Sequence, residues 1–112
     1  MEHGHSLVIR PHFDGTNYAD WKVRMKVFLK SIDKKVWNYV EYRWEKPTTL
    51  VSERQTSQKE ADTFNSKAMT AIFDAVSMEE FKRTSNVEVA HTAWNILQIM
   101  HEGTKAVNIN KL

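Results

Sequence analysis

The clearest helical pattern in the chain follows a turn and covers residues 18–31. Asp14-Gly15 is a dipeptide typical of turns, and the side-chain oxygen of Asn17 can accept a hydrogen bond from a free N–H at a helix start. Helical spacing then places one set of apolar residues on a single face: Tyr18, Trp21, Met25, Phe28, Leu29 and Ile32. A face this wide and aromatic predicts that the helix packs in a bundle.

A short second helix and a long polar loop are predicted next. Asp33 can cap the helix, and the apolar residues of one face are Val36, Trp37 and Val40. Residues 42–56 are mostly polar and predict a long, mobile surface loop, with Trp44 at its start folded back on the core. Loops of this length are uncommon in compact domains and are often functional or disordered.

Three more helices are predicted from capping boxes, in which a serine is followed three residues later by glutamate. The pattern occurs at residues 57–60, 77–80 and 85–88. The third helix would bury a face that consists of Ala61, Phe64, Ala68, Ile72 and Ala75. The fifth would bury Ala90, Ala93, Trp94, Leu97 and His101, and end at Gly103, a residue type common just after a helix.

These elements predict an all-α fold, a compact bundle of about five helices. The length of 112 residues suits one domain, expected at 13–103. Residues 1–12 should be irregular, with Leu7-Val8-Ile9 forming a short strand or lying across the core, and residues 104–112 should begin a further, truncated helix. The expected core residues are Trp21, Met25, Phe28, Trp37, Phe64, Ile72, Trp94 and Leu97.

Composition is that of an ordinary globular protein. Apolar residues make up 41% and charged residues 27%, and the net charge of +2 permits contact with nucleic acid without requiring it. The absence of cysteine excludes disulfides and cysteine-based metal sites. No apolar run approaches the roughly 18 residues of a membrane span, and no signal segment opens the chain. A cytoplasmic or nuclear protein is expected, with the cytoplasm preferred and no membrane contact.

The sequence contains no motif for catalysis. A nucleophile elbow, a glycine-rich phosphate loop and a zinc-protease motif are all missing. The order of Asp14-Gly15-Thr16 differs from that of an aspartic protease, and a turn explains it. His3 and His5 are more readily solvated residues than metal ligands, and His91 and His101 are not expected to share a site. We therefore predict no enzyme activity, no metal and no cofactor.

Lysines on the first helix are the candidate contact for nucleic acid. Lys22, Lys26 and Lys30 recur every four residues, and such a stripe can follow a phosphate backbone. No aromatic residue shares this side of the helix to stack on a base, so a solvated face is the preferred interpretation.

Apolar residues also lie outside the predicted inner faces. Val23 and Val27 do so on the first helix, and Val89, Ile96 and Ile99 on the fifth. A helix with two apolar sides is either central in a bundle or presents one side to a partner, and the sequence leaves both possibilities open. The candidate assembly interface is Val23, Val27, Ile96 and Ile99.

Four segments, in a fixed order, carry a resemblance to a known family. The first is Phe-Asp-Gly-Thr-Asn-Tyr-x-x-Trp-Lys-x-Arg-Met at residues 13–25, and the others lie at 33–40, 65–73 and 89–97, the last followed by Glu102-Gly103-Thr104. Together they resemble the N-terminal capsid region of the Gag polyprotein of plant copia-type LTR retrotransposons, over about residues 9–112. Val89, His91 and Met100-His101 depart from the usual residues of that pattern.

The resemblance implies a bundle of the retroviral-capsid type that associates with many copies of itself into a virus-like particle around RNA. The partner would be the chain itself, as a homo-oligomer that is weak in isolation. RNA would be bound mainly by a second capsid domain and a zinc knuckle, which this sequence does not contain. Two alternatives stay open. One is a domesticated Gag-derived domain that holds a partner peptide in a helical groove with Trp44 and the long loop. The other is a weak RNA-binding domain.

Overall fold

A computed structural model describes the backbone of residues 10–111 and their side chains, apart from residue 51 and residues 103–111. Leu7-Val8-Ile9, predicted to form a short strand or to lie across the core, is outside the described residues. The described part contains five α-helices and one 3-10 turn: α1 Tyr18–Ile32, α2 Lys34–Glu41, the turn Val51–Glu53, α3 Thr56–Asp74, α4 Met78–Thr84 and α5 Ala90–Lys111. The all-α fold is confirmed.

The turn before α1 has the predicted Asp-Gly geometry. Gly15 has φ +102°, which favours glycine, and Asp14 Oδ1 accepts hydrogen bonds from the Thr16 N–H and hydroxyl at 2.8 and 2.7 Å. Asn17 is the N-cap residue of α1, as predicted, and its backbone carbonyl accepts from the Trp21 N–H at 2.9 Å, but the predicted bond from a helix N–H to its side chain is wrong. The Asn17 side chain accepts from the Asp14 N–H at 3.1 Å and donates to the His12 carbonyl at 3.0 Å. The side chain closes the turn instead of accepting from a helix N–H.

Phe13 fastens the segment before α1 to the junction of α3 and α4. The Phe13 N–H donates to the Ala75 carbonyl at 2.7 Å, and the Ser77 N–H donates to the Phe13 carbonyl at 2.8 Å, forming an isolated parallel bridge beside Val76. The Phe13 ring is fully buried and stacks on Trp21 with centroids 5.2 Å apart. The bridge and the ring together fix the position at which α1 starts.

Tryptophan rings occupy the centre of the bundle. Trp21 stacks on Trp94 and Trp37 meets Trp94 edge to face, both with centroids 5.4 Å apart. Of the eight expected core residues, six are buried: Trp21, Met25, Trp37, Ile72, Trp94 and Leu97. Phe28 and Phe64 are half-buried against the edge of this cluster. Ile32, the last member of the predicted α1 face, is exposed at the end of its helix.

The short helix α2 is the hub of the bundle. It packs against α1, α3 and α5, and Val36, Trp37 and Val40 are all buried. The predicted cap is confirmed, because the Asp33 side chain accepts a hydrogen bond from the Lys35 N–H at 2.8 Å.

The starts of α3 and α4 correct two predicted capping boxes. Helix α3 begins at Thr56, and the Gln58 side chain accepts from the Gln55 N–H at 2.9 Å, so the predicted box at residues 57–60 is wrong. At α4 one half of the box forms, since Ser77 Oγ accepts from the Glu80 N–H at 3.4 Å. The carboxylate of Glu80 is instead buried and bonded to α5.

The start of α5 is capped from another helix. Asn65 of α3 is buried; its Oδ1 accepts from the Ala90 N–H and its amide donates to the Glu88 carbonyl, both at 2.8 Å. The predicted cap at residues 85–88 is therefore wrong, and the Ser85 hydroxyl donates to the Lys82 carbonyl of α4 at 3.3 Å.

The far end of α5 also differs from the prediction. The helix continues through Gly103 to Lys111, so the predicted end at Gly103 is wrong. Residues 104–111 continue α5 and do not begin another helix.

Ion pairs attach the loop between α2 and α3 to α3. Lys46 Nζ lies 3.1 Å from Asp62 Oδ1, and Arg54 Nη1 lies 3.6 Å from Asp62 Oδ2. Arg54 also donates to the carbonyls of Thr49 and Pro47, both at 3.2 Å. The loop predicted to be mobile is thus anchored at both of its ends.

Candidate functional site

The outer side of α1 carries an exposed apolar pair. Val23 and Val27, one helical turn apart, are 64% and 62% exposed, while Trp21, Met25 and Leu29 on the other side are almost completely buried. Helix α1 is therefore not central in the bundle, because the described part of the chain leaves its second apolar side open. We call the exposed residues Asp20, Val23, Val27 and Lys30 the outer α1 face.

A groove of about 690 Å³ runs beside the two valines. One side is α1, and the other is the segment that precedes the helix, with Arg10, Pro11 and His12 among its residues. The half-buried ring of Phe28 also lines the groove, and the Arg10 guanidinium lies 5.9 Å from the centroid of that ring. The groove thus combines apolar side chains with a basic edge, a mixture that suits contact with another protein.

The two candidate residues on α5 are placed differently. Ile99 is 68% exposed, but Ile96 is half-buried. Neither residue lines the groove beside α1. The structure therefore brings Val23 and Val27 together on one surface, without joining Ile96 and Ile99 to it.

The lysine stripe of α1 is largely engaged within the chain. Lys22 Nζ donates to Glu102 Oε2 at 2.8 Å, and Lys26 Nζ lies 5.4 Å from the centroid of the Trp37 ring, a cation–π contact. Lys30 is exposed. Helix α1 therefore does not present three solvated lysines in a row, because two of them have partners within the chain.

Trp44 is folded back, as the sequence predicts. Its half-buried ring meets Tyr39 edge to face with centroids 5.8 Å apart, and Tyr39 stacks on Phe64 at 6.3 Å. These contacts occupy the ring that a peptide-binding loop would need to present.

A cleft of about 530 Å³ lies where α1, α2 and α5 meet, lined by Trp37 and Trp94. His91 Nδ1 is 2.8 Å from the Val40 carbonyl oxygen, and His91 Nε2 is 3.0 Å from the Asn95 amide nitrogen. A carbonyl oxygen can only accept, so Nδ1 carries the proton and Nε2 accepts from the amide. This tautomer ties the last turn of α2 to α5.

A buried carboxylate links α4 to α5. Glu80 accepts a hydrogen bond from His101 Nε2 at 3.0 Å, and Arg83 Nε lies 3.7 Å from the same oxygen. The His101 ring also stacks on Tyr18 and meets Phe13 edge to face, with centroids 5.3 and 4.7 Å apart. His101 thus lies on the inner side of α5, as predicted, and its Nε2 supplies a hydrogen-bond partner for the buried Glu80 side chain.

Tyr18 lies at the edge of this polar cluster. Burial raises the pKa of the Tyr18 hydroxyl, and the negative charge of Glu102 raises it further. The hydroxyl is therefore neutral across the physiological range. Within the described residues, no three acidic, histidine or cysteine side chains lie together in a way that could hold a metal ion.

Comparison with known family models yields a short match. A family model described as a domain of unknown function, DUF4219, matches residues 13–41. That is 29 of 112 residues, about a quarter of the chain. No curated protein and no solved structure matches the sequence. Among the helices in the described part, none is long and apolar enough to cross a membrane. The chain therefore shares with that family the segment that forms the first turn, α1 and α2, and this segment carries Val23 and Val27.

Proposed function

We propose that this chain is a structural self-assembly module, a capsid-type N-terminal domain that packages retrotransposon RNA in a virus-like particle. The observation that carries the proposal is the exposed valine pair on the outer α1 face. The resemblance of residues 9–112 to the capsid region of copia-type Gag supports it, as does the all-α bundle. Assembly would take place in the cytoplasm, and the role includes no catalytic step.

Folding of the described chain does not explain why valines stand at these two positions. Single exposed apolar residues are normal, and valine is a poorer helix former than lysine or glutamate. Val23 and Val27 are neighbours on the helix surface, one turn apart, and both line the groove. The opposite side of the same helix is almost completely buried. Contact with another molecule would bury them at little conformational cost, because valine has few rotamers to lose.

The lysines support only a minor role for this chain in binding RNA. Lys22 and Lys26 have partners within the chain, which would have to be given up before phosphates could replace them. In the proposed particle, most RNA contacts therefore belong to regions downstream. The peptide-binding alternative is supported less well, because Trp44 is packed against Tyr39.

Sedimentation velocity across about 10 μM to 1 mM tests the proposal. The parent mass should rise with concentration, and Val23→Asp/Val27→Asp should stay monomeric because a carboxylate would have to be desolvated in the contact. The control is Leu50→Asp, which also replaces an exposed apolar residue by aspartate, with one added charge instead of two, at a loop residue that is 68% exposed. That variant should associate like the parent. Ile99→Asp tests the α5 candidate in the same series.

Two results would contradict the proposal. A parent that is monomeric at every concentration would show that this chain does not self-associate. Equal association of the parent and the double-valine variant would place the contact elsewhere, and loss of association in Ile99→Asp would then point to α5. Electron microscopy of the concentrated parent adds a separate readout, since a self-assembly module should produce particles larger than the monomer.

A further inference from the structure

The outer α1 face has the spacing of a coiled-coil seam. Its residues Asp20, Val23, Val27 and Lys30 are separated by three, four and three positions, which is the spacing of core positions in a heptad repeat. All four are exposed on the side of α1 away from Trp21. The seam therefore has an apolar centre, an acid at its first position and a base at its last.

From this order we infer that two copies of the chain pair through α1 in an antiparallel arrangement around a two-fold axis. This inference rests on the proposed function, which makes the outer α1 face a self-association surface, and it adds the orientation and symmetry of the contact. In the pair, Val23 of each copy faces Val27 of the other. A two-fold contact of this kind uses the same patch on both copies.

The charges select the antiparallel orientation. Asp20 lies three residues before Val23 and Lys30 three residues after Val27. When Val23 faces Val27 of the second copy, Asp20 therefore faces Lys30 of that copy at both ends of the seam. A parallel pair would place Asp20 against Asp20 and Lys30 against Lys30, and like charges across a contact are unfavourable.

The residues beside the seam limit the strength of this pairing. In the same register Arg24 falls beside Arg24 of the second copy, and like charges across a contact are unfavourable. The Arg24 side chain is 71% exposed, so it can turn toward solvent, where salt screens the repulsion. On the other flank, Lys26 is held over the Trp37 ring of α2. The ion pair between Asp20 and Arg24 within one chain is 3.3 Å long, but both side chains are more than 70% exposed. Such a pair contributes little, so Asp20 can turn to Lys30.

The length of α1 indicates a weak contact. Its 15 residues span about 22 Å. One helical face of this length buries less than the roughly 800 Å² per partner of a stable interface. Because a two-fold contact closes at two copies, the mass should level off at a dimer unless a second surface extends the assembly.

Reversing the charges tests the orientation. Asp20→Lys places two lysines together at both ends of the antiparallel pair, and Lys30→Asp places two aspartates there. Each single variant should raise the dissociation constant by about tenfold or more. Equimolar mixing of the two variants should restore association, because each contact then joins a lysine to an aspartate. Asp20→Lys/Lys30→Asp should dimerise like the parent, which separates the charge pairing from any loss of folding.

Cysteine pairs test the same geometry without relying on charge. The chain has no cysteine, so a single introduced thiol reports on a single position. Disulfides need Cα atoms within about 7 Å. A mixture of Val23→Cys and Val27→Cys should therefore form the mixed disulfide under mild oxidation, and Val23→Cys alone should form little dimer.

The possible outcomes separate this inference from the proposed function. A parent that associates through Val23 and Val27, but whose charge variants are not rescued by mixing, would overturn the antiparallel pair and leave self-assembly standing. Ready cross-linking between two copies of Val23→Cys would also overturn the antiparallel pair and leave self-assembly standing. A parent that stays monomeric overturns both. A dimer with the predicted cross-link but no larger particles supports the pair and contradicts the capsid role.

Discussion

Trp21 and Val23 lie two residues apart on α1, yet the first is 1% exposed and the second 64%. On the inner side, Trp21 stacks on Trp94 of α5 and on Phe13, which the bridge at Val76 holds in place. On the outer side, the described part of the chain leaves Val23 uncovered. The two sides are both apolar, so hydrophobicity alone does not decide which is buried. The packing of α2, α3 and α5 against one side decides it.

This difference separates two roles for apolar residues of one helix. Substitutions on the inner side should lower the free energy of unfolding, because they leave cavities in a closed core. Substitutions on the outer side should change association and leave the free energy of unfolding almost unchanged. The following predictions test that separation, from the largest expected effect to the smallest.

Trp94→Ala should lower the free energy of unfolding by about 3–5 kcal/mol. The Trp94 ring is 5% exposed and contacts the rings of both Trp21 and Trp37, so its removal opens the centre of the bundle. Urea denaturation followed by circular dichroism measures the change. Trp44→Ala is the control, and it should cost clearly less because Trp44 is half-buried in the loop between α2 and α3. Equal midpoints for the parent and Trp94→Ala would mean that the inner side is not closed as described.

Asn65→Ala should cost about 1–3 kcal/mol, although it removes no apolar surface from the core. The substitution leaves the Ala90 N–H and the Glu88 carbonyl without their partner at the start of α5. Asn65→Asp keeps an acceptor for the Ala90 N–H but loses the donor, and should be destabilised as well. Ser66→Ala, at the exposed neighbouring position, should change the same midpoint by less than about 0.5 kcal/mol. If Ser66→Ala lowered the free energy of unfolding as much as Asn65→Ala, Asn65 would not act as a specific cap of α5.

The elements that the sequence predicts well are those with local signals. The apolar spacing and the turn predict a helix over 18–31, and α1 covers Tyr18–Ile32. The Asp33 cap is likewise local and forms as predicted. The start of α5 depends on Asn65, which is 25 residues earlier in the chain, so no pattern near residue 90 could reveal it. A signal did exist in α3, because Asn65 keeps the helical spacing of the buried residues Ala61, Ala68 and Ile72.

The candidate surface was only partly predictable for a similar reason. Periodicity places Val23 and Val27 opposite Trp21, but it cannot say whether another helix covers them. Whether they are covered depends on how α3 and α5 pack. The sequence near residue 23 carries no signal for these long-range contacts. The carboxylate of Glu80 shows the same limit. Its spacing from Ser77 indicated a helix cap, whereas the packing of α4 on α5 directs the carboxylate to His101.

Val23→Asp/Val27→Asp should change the free energy of unfolding of the monomer by less than about 0.5 kcal/mol for each substitution. Valine and aspartate have similar helix propensities, and both positions are exposed, so little packing is lost. The measurement is urea denaturation at a concentration below that of self-association. Met25→Asp is the matched inner-side control, and should unfold the chain because it buries a charge in the core. A double-valine variant as unstable as that control would show that the outer side is also part of the folding core.

The smallest effect is expected at Asp14, in the turn that precedes α1. Hydrogen bonds from the Thr16 hydroxyl and backbone N–H hold the pKa of the Asp14 carboxyl below its ordinary value. A lowered pKa in the folded state means that the ionised carboxylate stabilises the fold at pH values above the ordinary carboxyl range, and that this contribution is lost as the pH falls through the lowered pKa. Asp14→Asn removes the charge, so the parent should be slightly the more stable at pH 6, and the difference should shrink as the pH falls through the lowered pKa. An NMR titration checks the cause directly. Thr16→Val, which lacks the hydroxyl, should bring the Asp14 pKa back toward its ordinary value, and Thr16→Ser should not. An unchanged Asp14 pKa in Thr16→Val would mean that the bond from the Thr16 hydroxyl is not what lowers it.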